Sequence, residues 1–163
     1  MSTGHTPAAI VGRAYRAFSS FARPEHFTDH THCPECAEHD QTMRSRPLAA
    51  IGVVQLGNPG WCPTPFLTEE AYGYVMPRLV ELALASSVER PAESFVFSYL
   101  LALTPTHRKL DYLTREQTAA VLESLHYMRD HMRPVIEQAC CEDDLAEAIA
   151  RWSAPADEER RAR

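Results

Sequence analysis

TREQTAAVLESLHYMRDHMRPVIEQA, residues 114–139, is the stretch that decides the fold class. Val121, Leu122, Leu125, Met128, Met132, Val135, Ile136 and Ala139 recur largely at intervals of three and four, which lines one face of an α-helix. Thr114 followed by Gln117 is a capping box, in which each side chain satisfies an amide left free at the helix start. Pro134 predicts a bend, because it lacks an amide proton and its ring presses on the preceding turn.

The same period extends outward on both sides. Upstream, Thr6 and Pro7 open a helix that carries Ile10, Ala14, Phe18 and Phe21 at helical spacing, and Arg23-Pro24 ends it. Thr68 caps a helix beginning Glu69-Glu70-Ala71, which Pro77 is expected to kink or divide. Pro91 opens a segment through Phe95, Val96, Tyr99, Leu100 and Leu103. Downstream, a last helix from about Glu142 to Trp152 turns Leu145, Ile149 and Trp152 inward. Residues 48–56 are ambiguous: Val53 and Val54 favour a strand, while Leu48, Ile51 and Leu56 fit a loose helical turn. In Gly57-Asn58-Pro59-Gly60 the glycines and Asn tolerate positive φ, which marks a turn. The reading is an all-α protein, an irregular bundle of about five to seven helices. It forms a single domain over 7–153 with flexible termini at 1–6 and 154–163, and holds a Cys/His-rich loop and a Gly/Pro-rich loop.

At 163 residues the chain can bury one real core. Its net charge is −6, and among sixteen cationic side chains Lys109 is the only lysine, a usage that points to a high-GC bacterial genome. No basic stripe is present, which argues against nucleic-acid binding, since phosphate neutralisation supplies most of that affinity. The longest charge-free apolar stretch, Ser94 to Pro105, is too short for a membrane span of roughly 20 residues. No signal-peptide layout is seen, and the expected location is the cytoplasm.

Of eight histidines and five cysteines, His26, His30, His32, His39, Cys33 and Cys36 fall between residues 26 and 40. Zinc prefers about four ligands in a tetrahedron, from thiolate and imidazole. A Cys-x-x-Cys pair lets two sulfurs converge across a tight turn. On an ideal helix His32, Cys36, His39 and Met43 share a face. The expected metal ligands are therefore Cys33, Cys36, His39 and His32, with His26, His30 or Cys62 as alternatives for the fourth. Zinc is the expected ion, with iron or copper as alternatives. A redox reading uses the same thiols: Cys-Pro-x-Cys at a helix N-terminus lowers the first thiol's pKa, so Cys33 would attack and Cys36 resolve. Glu35, Glu38 and Asp40 are candidates for general acid or base beside a metal-bound water. His131 reads as a buried, hydrogen-bonded core residue beside the apolar stripe, with His126 on the same helix. Cys140-Cys141 is flanked by Glu142, Asp143 and Asp144, which raise thiol pKa values. Trp61 anchors its loop or covers a pocket.

Two resemblances follow from these residues. The Cys-x-x-Cys, with His39 three residues on and Asp29 upstream, resembles the alkylhydroperoxidase-D-type proteins, in which the His follows by four and the carboxylate is Glu. That likeness implies thiol peroxidase chemistry on an all-helical frame. His26-Phe27-Thr28, Thr31-His32-Cys33 and Cys36-Ala37-Glu38-His39-Asp40, together with Leu56-Gly57-Asn58-Pro59-Gly60-Trp61, resemble a bacterial family of domains of unknown function, which carries Asp where this chain has Cys62. The resemblance covers about 17–82 and implies that the two loops belong to one design.

The function expected from the sequence is a metal-binding helical protein, acting on an unidentified small molecule or protein partner, without nucleic acid or membrane. The alternatives are an enzyme at the same site, either thiol oxidoreductase or metalloenzyme, and a helical adaptor without chemistry.

Overall fold

The computed structural model describes residues 5–104 and 110–154. Its helices are α1 (Pro7–Ala17), α2 (Pro34–Arg44), α3 (Val53–Leu56), α4 (Glu69–Leu84), α5 (Val96–Leu103), α6 (Arg115–His131), α7 (Arg133–Gln138) and α8 (Glu142–Ser153). Three single 3-10 turns, Leu48–Ala50, Thr64–Phe66 and Pro91–Glu93, punctuate the connections. Among the described residues the only β-type pairing is one isolated antiparallel bridge, Thr28 to Leu67. The all-α expectation holds. The flexible termini expected at 1–6 and 154–163 fall mainly outside the described residues.

Helix α4 is the central element. It packs on α1, α5 and α6, while α6 and α5 both pack on α8. Ten of its residues are buried, from Ala71 to Leu84. The helix runs through Pro77 without dividing, which removes the split from the two outcomes expected there. The carbonyl that Pro77 leaves without an amide partner is that of Gly73 (the i−4 position). Gly73 also gives room to the Phe21 ring: a Cβ there would lie 2.6 Å from it.

Polar groups within the core are used to close helix ends. The last carbonyls of a helix have no partner within it. Those of α5 accept from α4 and α8: Tyr72 Oη donates to Ala102 O at 2.7 Å and Trp152 Nε1 to Leu103 O at 3.0 Å. The capping-box residue Gln117 does double duty, accepting from Thr114 N at 2.9 Å and donating to Ala17 O, the end of α1, at 3.1 Å. Arg13 and Glu123 pair across α1 and α6.

The structure departs from the expected local geometry at the end of α1 and at the end of α6. Helix α1 stops at Ala17, so Phe18 and Phe21 pack from a turn beyond it. At Pro134 the long helix breaks instead of bending, and Met132 both closes α6 and opens α7. The stretch 48–56 resolves into a 3-10 turn and α3, with no strand. The glycines of the 57–60 turn keep negative φ; among the described residues the positive value sits at Cys140, φ 51°, just after α7. Gly57 is needed for closeness, since its N–H bonds Val53 O at 2.7 Å and a Cβ would meet that oxygen at 2.6 Å.

Candidate metal centre

The centre forms at the N-terminus of α2. Pro34 occupies the first helical position, where its missing N–H is not needed. Cys33 precedes it in extended conformation (φ −159°, ψ 165°) and serves as the cap: its Sγ accepts from Cys36 N at 3.3 Å. His32 is held by its own amide, which donates to Asp29 O at 3.0 Å. One turn of backbone thus brings three donors together. His32, Cys33 and Cys36 each offer an atom within 4.8 Å of the others, and Cys36 Sγ lies 3.7 Å from His32 Nδ1. Cys36 is buried, Cys33 half-buried and His32 exposed, so the set opens to solvent on the imidazole side.

The two thiols are made unequal by this geometry. The amide of Cys36 lowers the Cys33 pKa, helped by hydrogen bonds from the Cys36 thiol and His32. Cys36, hydrogen-bonded to Cys33 and buried, is pushed up to about 11. All five cysteines are free thiols.

The remaining expected site residues go elsewhere. His39 is not among the three converging donors. It sits about 4.5 Å further along the helix axis than Cys36, from the 1.5 Å rise per residue. Its ring is taken up by Trp61 and Phe66, at centroid distances of 4.9 and 5.4 Å. Its buried Nε2 makes no hydrogen bond and faces Glu35 Oε1 at 3.5 Å. Cys62 lies in the other loop, its thiol donating to Leu56 O at 3.2 Å and lying 3.1 Å from Thr64 Oγ1. Asp29 folds onto its own loop, accepting from Thr31 N and Oγ1 at 3.3 and 2.8 Å. Glu38 is exposed. Cys140 is exposed, and burial pushes the Cys141 thiol up to about 11. His131 is exposed, against the buried position expected for it. It lies 100° around the helix from Met132 and rests on Tyr127 one turn back, ring centroids 4.7 Å apart. His126, half-buried on the same helix, joins neither donor group.

His26 and His30, considered as fourth ligands, gather instead around Asp40. The three form a second group with donor atoms within 4.8 Å of one another. No family model, curated protein or solved structure matches this chain. Its chemistry therefore has to be read from these side chains alone.

Asp40 is the residue whose importance the sequence hid. Its carboxylate is buried and stitches the loop to α2. Oδ1 accepts from Phe27 N at 2.6 Å and Thr28 N at 3.4 Å, and Oδ2 lies 2.8 Å from His26 Nδ1. Burial alone would push this carboxyl up; the bonds from His26, Phe27 and Thr28 more than offset that and leave it below its ordinary value. Thr28 Oγ1 then donates to Cys36 O at 2.6 Å. On its other edge the strip meets the Pro-rich loop, with Thr68 N donating to Phe27 O at 2.9 Å. The two loops are thus in direct contact, through this bridge and through His39 between Trp61 and Phe66. The signal that could have flagged Asp40 was weak: a carboxylate on the same helix face as Cys36 and Met43.

Proposed function

We propose that the protein binds a metal ion, zinc, through His32 Nδ1, Cys33 Sγ and Cys36 Sγ. One observation carries this reading. With Zn–S near 2.3 Å and Zn–N near 2.0–2.1 Å, a tetrahedral ion sets sulfur and nitrogen about 3.6 Å apart, and Cys36 Sγ lies 3.7 Å from His32 Nδ1. Two thiolates with one imidazole favour zinc over the harder divalent ions. The Cys36 amide aimed at Cys33 Sγ supports thiolate character there, as the outer hydrogen bonds of metal ligands do. The fourth position belongs to water or to a donor from a partner or small ligand. Bound zinc would pin the loop that precedes Pro34 to α2 and so to the bundle, presenting Trp61 and Phe66, both partly exposed, beside it.

A second reading is favoured by the inequality of the thiols. As a thiol–disulfide oxidoreductase, Cys33 thiolate would attack a substrate disulfide and release one substrate thiolate. Cys36 would then attack the mixed disulfide, releasing the second and leaving a Cys33–Cys36 disulfide: the substrate is reduced, the chain oxidised. Elemental mass spectrometry on protein purified without a polyhistidine tag, with a free-thiol count, decides between them. Stoichiometric zinc lost on Cys36→Ser supports coordination. Metal-free protein whose Cys33 and Cys36 oxidise readily to a disulfide sinks the zinc reading in favour of exchange, and metal-free protein with inert thiols sinks both.

A further inference from the structure

His26, His30 and Asp40 form a donor set that the zinc reading does not use. The loop and α2 build it jointly, with His26 and His30 on the loop and Asp40 one turn past Cys36. The two imidazoles stack face to face, ring centroids 3.8 Å apart and planes 15° from parallel. The Asp40 carboxylate is 3% exposed and its Oδ1 is locked by the Phe27 and Thr28 amides, so Oδ2 is fixed in place beside His26 Nδ1. Among the described residues the His30 ring makes no hydrogen bond, although it lies against a buried carboxylate.

The local geometry suits an ion. His26 Nδ1 and Asp40 Oδ2 are 2.8 Å apart, close to the roughly 3.0 Å between neighbouring donors at right angles around an ion with bonds near 2.1 Å. Two near-parallel imidazole planes cannot both contain one ion, so the exposed His30 would swing out of the stack, bringing donors that lie within 4.8 Å of one another into the span of about 4.2 Å that such bonds allow. His30 and Asp40 also line an open cleft of about 540 Å³ with Ala37, Gln41, Arg44 and Ser45. That leaves one side of the ion free for water or an anionic ligand. Arg44 Nη1, 3.7 Å from Asp40 Oδ2 at the cleft edge, is placed to hold the anionic end of such a ligand.

We propose that His26, His30 and Asp40 bind a second divalent metal ion, of the first-row transition series, independently of the cysteine site. Two imidazoles and one carboxylate with open positions are the donor set of non-haem iron(II) centres and also accept cobalt or zinc. No sulfur is involved, so the two sites separate spectroscopically.

The test is a cobalt(II) titration of the full chain, stripped with chelator under reducing conditions. The parent should take up two equivalents, one giving an intense thiolate-to-cobalt charge-transfer band and one giving only weak d–d absorption. The Cys33→Ser/Cys36→Ser protein should keep the weak-absorbing equivalent with unchanged affinity. In that background His30→Ala, a change at an exposed loop position that the fold tolerates, should lower cobalt affinity at least tenfold, and His26→Ala should do the same. If the double-cysteine variant binds no cobalt, or if His30→Ala binds as tightly as its parent, the second site is refuted. Neither result bears on the cysteine site, whose charge-transfer band is read separately.

Discussion

Replacing Asp40 by alanine should destabilise the protein even when every metal has been removed. The buried carboxylate accepts from Phe27 N at 2.6 Å and from Thr28 N at 3.4 Å, and both residues are buried. A hydrogen bond to a charged group contributes about 1.5–3 kcal/mol, and a stranded buried donor loses its full desolvation term. Counting the short bond fully, the long one weakly and the half-exposed His26 hardly at all gives about 3–4 kcal/mol. The better helix propensity of alanine returns about 0.5 kcal/mol, leaving about 3 kcal/mol. For a chain of this size that is a fall of about 6–12 °C in Tm. Asp40→Asn keeps an acceptor for Phe27 but not the charge, and should cost about 1–1.5 kcal/mol.

The pH dependence gives a second reading of the same bond. The folded Asp40 pKa is lowered, so its contribution is fully present above the unfolded value of about 3.9 and disappears as pH falls through the lower folded value. The gap between parent and Asp40→Asn should stand at neutral pH and close in acid below about pH 4. Urea unfolding followed by circular dichroism, with chelator in excess, measures both. An alanine variant within about 0.5 kcal/mol of the parent, the range of an ordinary surface change, would refute the clamp.

Three further outcomes are expected. In chelator-stripped, reduced protein at neutral pH, iodoacetamide followed by peptide mass spectrometry should label Cys33 before Cys36 and Cys141, because its thiol is lowered while theirs are pushed up to about 11; Cys36 reacting first would contradict the capping geometry. Gly73→Ala should lower stability by about 1 kcal/mol in thermal melts, since displacing the Phe21 ring at 2.6 Å costs more than the roughly 1 kcal/mol that alanine gains in a helix. Tyr99→Phe should cost about 1–1.5 kcal/mol, because it removes the buried 2.7 Å bond to Ser124 Oγ; an unchanged urea midpoint would show that the hydroxyl pair contributes nothing.

Helix boundaries were legible wherever a side chain acts on its own backbone. Thr6, Thr68 and Thr114 each cap the helix the sequence assigns to them, through bonds of 3.1–3.3 Å to amides three residues on. The start of α2 was legible to within a residue, near Cys33 or Pro34, and the structure begins it at Pro34. What stayed hidden depends on contacts distant in sequence. The ideal-helix column placed His39 beside Cys36, yet the ring's direction is set by Trp61 and Phe66, more than twenty residues away. Pro134 carries the same local penalty as Pro77, yet one ends a helix and the other is carried through by a helix buried along most of its length. His131 shows the limit of a stripe drawn from period alone: a residue one step from the apolar row is already on the flank.

The segment's composition posed the question of why six His and Cys side chains are placed so close together, and the structure divides five of them into two donor groups, His32 with Cys33 and Cys36, and His26 and His30 with Asp40. Sulfur collects at the helix cap, because Cys33 must be extended there to receive the Cys36 amide, and that receipt brings both sulfurs to one point. His26 and His30 stay apart from them, because Asp40 holds the backbone at Phe27 and Thr28 and draws His26 to its own carboxylate. A single acidic residue on α2 therefore fixes the loop's register and separates a sulfur-rich donor group from a nitrogen–oxygen one. If the Asp40 clamp were absent, His26 and His30 would be free to compete for the ion at Cys33 and Cys36, and the two cobalt spectra would merge into one.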